Sequence, residues 1–89
     1  MLKLNHKNLD VWQLALKLIS TIYQITSKYP KEEVFGLTSQ TRRAAISISA
    51  NLAEGSSRKS LIERKRFYEI SRSSLVEVDN HIEVAKELG

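Results

Sequence analysis

Arg58, Lys59, Arg64, Lys65, Arg66 and Arg72 place six positive charges within fifteen residues, and phosphate binding is the chemistry such a block suits. The excess is local. Residues 1–57 hold seven basic against four acidic side chains, residues 58–72 hold six against two, and residues 73–89 hold one against four. Much of the block falls at the start of a helical segment, where positive charge opposes the macrodipole, so helix stability alone would not select it. Local pairing is one compensation: Lys65 with Glu69, Glu63 with Arg66 and Glu69 with Arg72 all have helical i,i+3 or i,i+4 spacing. Those pairs leave Arg58, Lys59 and Arg64 unneutralised, and Arg58, Lys65 and Arg72 recur a heptad apart on one side. Phosphate binding and a face that is merely solvated, or paired with another subunit, both fit these residues. Tyr68 is the one aromatic placed for stacking, so a nucleic-acid contact here would read backbone charge rather than base sequence.

Other chemistry finds little support. Of the two histidines, His6 lies near the start and His81 follows Glu77 by one turn, which would make at most a weak two-ligand metal site. The paired Glu-x-x-His motifs of carboxylate-bridged bundles are absent. There is no cysteine, hence no disulfide, thiolate nucleophile or zinc-thiolate site, and the composition suits a reducing cytosol. No Gly-rich phosphate loop occurs, and the serines have no adjacent base. The expectation is a protein with no catalytic residue, metal or cofactor. The net charge of +4 permits an anionic partner without proving one. Met1 to Asn8 contains no apolar run of signal-peptide length, and nothing approaches the roughly 20 apolar residues of a membrane span, so a cytoplasmic protein without membrane contact is expected.

Three helices must position these residues, about 9–28, 37–54 and 61–88, in an all-α, antiparallel up-and-down bundle. In the first, Asp10, Gln13, Lys17, Ser20, Thr21, Gln24, Ser27 and Lys28 share an arc of roughly 120°, with Asn8 as cap and Pro30 ending the segment. Its apolar arc is wide enough for two surfaces. Val11, Leu14, Ala15, Leu18, Ile22 and Ile25 form a stripe assigned to the core. Trp12, Leu16, Ile19 and Tyr23 form an adjacent one, either part of the same core or, as favoured in so short a chain, an oligomer interface. Val34 and Phe35 are expected to plug the bundle end.

The second helix aligns Leu37, Thr41, Ala44, Ala45, Ile48 and Leu52 on one face, its small residues allowing close approach, with Gly55 as a natural left-handed stop, although the polar Ser56 and Ser57 could let the helix continue another turn. Opposite run Gln40, Arg43, Ser47, Asn51 and Glu54. That polar row is either solvent-facing or, the favoured reading, a hydrogen-bonded seam in which Arg43 and Glu54 satisfy each other within or between subunits. Ser60 and Glu63 form a capping box for the third helix. Its core face is Phe67, Ile70, Ser74, Leu75, Val78, Ile82, Ala85 and Leu88, with Gly89 at the stop. Short loops make neighbouring helices antiparallel.

Phe35-Gly36-Leu37, then Gln40-x-Arg42-Arg43-Ala44-Ala45-x-Ser47-Ile48, then Asn51-Leu52-Ala53-Glu54-Gly55 form a run that resembles the four helix bundle, or 23S rRNA-intervening-sequence, proteins. Leu9-x-Val11-Trp12-Gln13 with Ile22-Tyr23 and Pro30 is similar to that family's first helix. Arg66-Phe67-Tyr68 with Ser73-Ser74-Leu75-x-Glu77 is similar to its third. The resemblance implies a short bacterial protein assembled as a pentameric ring. It extends to the accessory protein of diversity-generating retroelements, a basic pentamer that works with nucleic acid, so RNA or DNA and a reverse-transcriptase-like protein are implied partners. By resemblance, Arg42, Arg43, Arg58 and Arg66 are the functional basic positions. The family pattern continues beyond Leu88-Gly89 into a fourth helix. The expectation is therefore three helices of a four-helix plan, with the open groove belonging to a truncated segment or filled by another subunit.

Overall fold

In a computed structural model, residues 4–89 are described; Met1, Leu2 and the basic Lys3 lie outside them. The described chain is all-helical, without strands: a 3-10 turn Asn5–Asn8, α1 (Asp10–Thr26), a 3-10 turn Lys31–Glu33, α2 (Leu37–Ser57) and α3 (Leu61–Leu88). Both helix pairs are antiparallel. The Ser71 hydroxyl of α3 donates to the Ile48 carbonyl of α2 and Ser74 lies opposite Ser47, so α3 advances as α2 recedes. Arg42, early in α2, likewise meets Tyr23 and Thr26, late in α1.

α2 is the central element. It packs against both other helices, while no α-carbon of α1 comes within 8 Å of one in α3. Its buried line is Thr38, Thr41, Ala44, Ala45, Ile48, Ser49, Leu52 and Gly55. The expected face is thus present, with Leu37 half-buried at its end. Small side chains bring backbones close, which trades apolar volume for contact density.

The other two helices bury narrower lines than the expected stripes. On α1, Ala15, Ile22 and Thr26 are buried, at spacings of seven and four, with Trp12, Leu18 and Ile19 packed against the core. Val11, Leu14 and Ile25, assigned to the core, are exposed. The reason is geometric: the short Ala15 and Thr26 face α2, which leaves the longer side chains on both flanks. On α3 the buried positions are Ser71 and Val78, while Ile70, Leu75 and Leu88 are exposed. Ser71 lets α3 approach the Ile48 backbone at hydrogen-bond distance, a contact a larger residue would prevent.

Helix ends differ from expectation in instructive ways. Asn8 closes the first 3-10 turn, and Leu9 occupies the N-cap of α1 without any side-chain cap. Gly55 does not stop α2, which runs on to Ser57; a Cβ there would lie 2.7 Å from Tyr68 Cε1 and 3.1 Å from Phe67 Cβ, so the glycine provides clearance for α3. Ser60 does cap α3, accepting from the Glu63 amide at 3.3 Å, although no reciprocal bond from Glu63 forms. Gly89 closes that helix with φ 84°. Val34 and Phe35 plug nothing; Phe35 is 95% exposed.

Candidate nucleic-acid interface

α3 leaves its Ser60 cap with Leu61, Arg64, Lys65, Tyr68, Glu69 and Arg72 lining a trough of about 490 Å³. At 3.6 residues per turn, Lys65 and Arg72 lie on one side, with Tyr68 between them. Both cations are exposed, and neither makes an ion pair or hydrogen bond among the described residues. The local pairs Lys65–Glu69, Glu63–Arg66 and Glu69–Arg72 do not form. The ion pairs present are Arg58–Glu54 at 2.8 Å, His81–Glu77 at 3.7 Å and Lys86–Glu83 at 3.5 Å.

Three of the candidate arginines have intrachain work instead. Arg58 precedes α3, so it breaks the heptad series; its guanidinium pairs with Glu54 and lies 4.9 Å from the centre of the Phe67 ring. Arg64, half-buried, donates from Nε to the Arg58 carbonyl. Arg42 donates to the Thr26 hydroxyl at 2.8 Å and lies 4.3 Å from the centre of the Tyr23 ring. These contacts staple the α2–α3 connection and the α1–α2 crossing. Arg43, Lys59, Lys65, Arg66 and Arg72 remain as exposed cations without a protein partner among the described residues. They do not form one patch: Arg66 is turned about 100° from Lys65 around α3, and Arg43 sits on the first half of α2.

The polar row divides in the same manner. Asn51 donates to the Ser47 carbonyl at 2.8 Å and hydroxyl at 2.9 Å, and the Ser47 and Ser74 hydroxyls are 2.9 Å apart, making a short seam between α2 and α3. Gln40, Arg43 and Glu54 are exposed, and Glu54 pairs with Arg58 rather than Arg43 because Arg58 is one turn away and Arg43 three. In the stripe assigned to oligomerisation, Trp12 and Ile19 pack on the chain's own core, Trp12 also meeting His6 edge-on at 4.8 Å. Tyr23 carries Arg42, and Leu16 is exposed. Among the described residues no three His, Asp or Glu side chains gather as a metal site, and no helix is long and apolar enough to cross a membrane.

Thr26, Ser71 and Thr38 were not singled out by residue type, yet all three are buried. Thr26 had a usable signal, since it extends the Ala15–Ile22 spacing by one turn. The model of the family described as 23S rRNA-intervening sequence protein matches residues 7–89. The chain belongs to that family. No curated protein matches it. The match takes in all three helices of this 23S rRNA-intervening sequence protein, together with the trough on α3 and the Arg42–Arg43 pair.

Proposed function

We propose that this 23S rRNA-intervening sequence protein is a non-catalytic, self-associating helical module of the cytoplasm that binds RNA, or nucleic acid more generally, through phosphate contacts on the Lys65–Arg72 side of α3. The observation that carries this reading is that Lys65 and Arg72 stand unpaired on either side of Tyr68, although Glu69 is within reach of both by helical spacing. Exposed cations bind a polyanion by releasing its condensed counterions, whereas cations already paired to carboxylates release little. Tyr68 adds a ring on which an unpaired base can stack, favouring single strands over duplex.

Self-association is supported by apolar surface that the single chain leaves in water. Leu14, Val11 and Ile25 are exposed on α1, and Leu61, Ile62 and Val76 on α3. α1 and α3 both pack on α2 with no α-carbon of one within 8 Å of one in the other, which leaves their exposed apolar flanks open to a further helix from another copy. A pentamer, and a reverse-transcriptase-like protein as partner, belong to this reading by resemblance. The second reading is a protein-binding scaffold without a nucleic-acid role, favoured by the same apolar surface.

Titration of a fluorescent single-stranded RNA across salt separates the two. Binding at low salt that weakens about tenfold or more between 50 and 200 mM salt is the expected result, in keeping with several phosphates neutralised. No binding at low salt would leave the scaffold reading.

A further inference from the structure

Where α1 crosses the start of α2, Tyr23, Thr38, Ser39, Arg42 and Arg43 line a cleft of about 250 Å³ that Val34 and Ile46 close on its apolar side. The lining holds two guanidinium groups and three hydroxyl-bearing side chains, Tyr23, Thr38 and Ser39, and no carboxylate. Arg42 is held in place: Nε donates to Thr26, one terminal nitrogen reaches the Tyr23 carbonyl at 3.4 Å, and the ring of Tyr23 supports its plane. Its remaining N–H groups have no protein acceptor among the described residues. Arg43 has none at all among the described residues.

Two further observations point to an anion. Thr38 is 5% exposed, and its hydroxyl makes no hydrogen bond, which for a buried polar group is a cost that a ligand would relieve. Thr38 and Ser39 also occupy the first turn of α2, where the helix dipole favours negative charge and the amides have no intrahelical carbonyl to meet. The Leu37 amide is already taken by Glu33 Oε2 at 3.1 Å. A fork of two arginines beside hydroxyl donors suits a tetrahedral oxyanion with several acceptor oxygens.

We infer that this cleft binds a phosphate group, carried either by a small phosphorylated molecule or by the end of a nucleic-acid strand. Arg42 is the pre-positioned donor, Arg43 the mobile one that closes over the ligand, and Ser39 and Thr38 donate from below. The cleft shares no lining residue with the α3 trough, so either site can fail without the other.

The test is an NMR titration with inorganic phosphate at constant ionic strength, following the arginine Nε–H signals and the amides of Thr38 and Ser39. Saturable shifts at Arg42, Arg43, Thr38 and Ser39 are expected, weakened about tenfold by Arg43→Gln, which removes one charge-assisted donor from an exposed position. Lys17→Gln, which removes an exposed charge on α1 outside both the cleft and the α3 trough, should leave the titration unchanged. Two RNAs of one sequence, with and without a 5′-phosphate, then separate the sources. A preference for the phosphorylated strand that Arg43→Gln abolishes assigns a strand end, and equal affinities with phosphate still binding assign a small molecule. No saturation by about 50 mM phosphate, a range in which a millimolar site fills, or a titration indifferent to Arg43→Gln, overturns the inference.

Discussion

Arg42 on α2 donates from Nε to the Thr26 hydroxyl on α1 at 2.8 Å, while Thr26 donates to the Ile22 carbonyl at 2.7 Å. One hydroxyl thus satisfies its own helix and anchors the neighbouring one. Thr26→Val keeps the shape but removes both bonds and strands a half-buried guanidinium. A loss of about 1–2 kcal/mol in urea denaturation is expected. Thr26→Ser, which keeps the hydroxyl, should cost less than Thr26→Val.

Gly55 sits within α2 where alanine has the better helix propensity by up to about 1 kcal/mol. Alanine should nonetheless destabilise the protein, because its Cβ would meet the Tyr68 ring at 2.7 and 2.9 Å and Phe67 Cβ at 3.1 Å. Overpacking of this kind costs about 1–3 kcal/mol. A denaturation midpoint at or above that of the wild type would mean α3 yields without strain.

Ser71 is buried at the α2–α3 contact, donating to the Ile48 carbonyl at 2.8 Å. Ser71→Ala should cost about 1 kcal/mol, the net value of one such bond, because the Ile48 carbonyl retains its place in the helix ladder. Ser71→Leu should cost more by forcing α3 away from α2. Equal midpoints for the two variants would contradict that packing.

These contacts also show why some of the architecture was legible in the sequence and some was not. α3 could be bounded at both ends because Ser60 and Gly89 act locally, one through a side-chain cap and the other through a left-handed φ. The face of α2 was legible because its apolar and small residues contrast with a polar opposite side. α1 has a polar arc too, but its apolar arc is wider than one packing face. With apolar side chains over most of its circumference, periodicity cannot say which third meets α2, and the choice fell to the short Ala15 and Thr26. At Gly55 the sequence allows either a helix stop or another turn through Ser56 and Ser57, and the reason for the glycine is tertiary: the space it leaves is filled by residues 12 and 13 positions later. In the candidate interface, six basic residues announce a charge block, but spacing could not show that Arg58 and Arg64 would be spent on holding the α2–α3 connection.

Assembly makes a separate prediction. Light scattering at micromolar concentration should give a mass that is a multiple of the 10.2 kDa chain. Leu14→Lys, at a position 62% exposed within one chain, should lower that mass without loss of helicity. A one-chain mass for the wild-type protein would remove self-association from the account.

The most direct measurement of the central claim compares RNA affinity at low salt for the wild-type protein and the Lys65→Glu/Arg72→Glu variant, with circular dichroism confirming that both are folded. Both positions are exposed and unpaired, so the fold should tolerate the change. The account predicts that the variant loses affinity at least about tenfold and that its remaining binding depends less steeply on salt. Unchanged affinity and salt slope would place nucleic-acid binding, if any, away from α3.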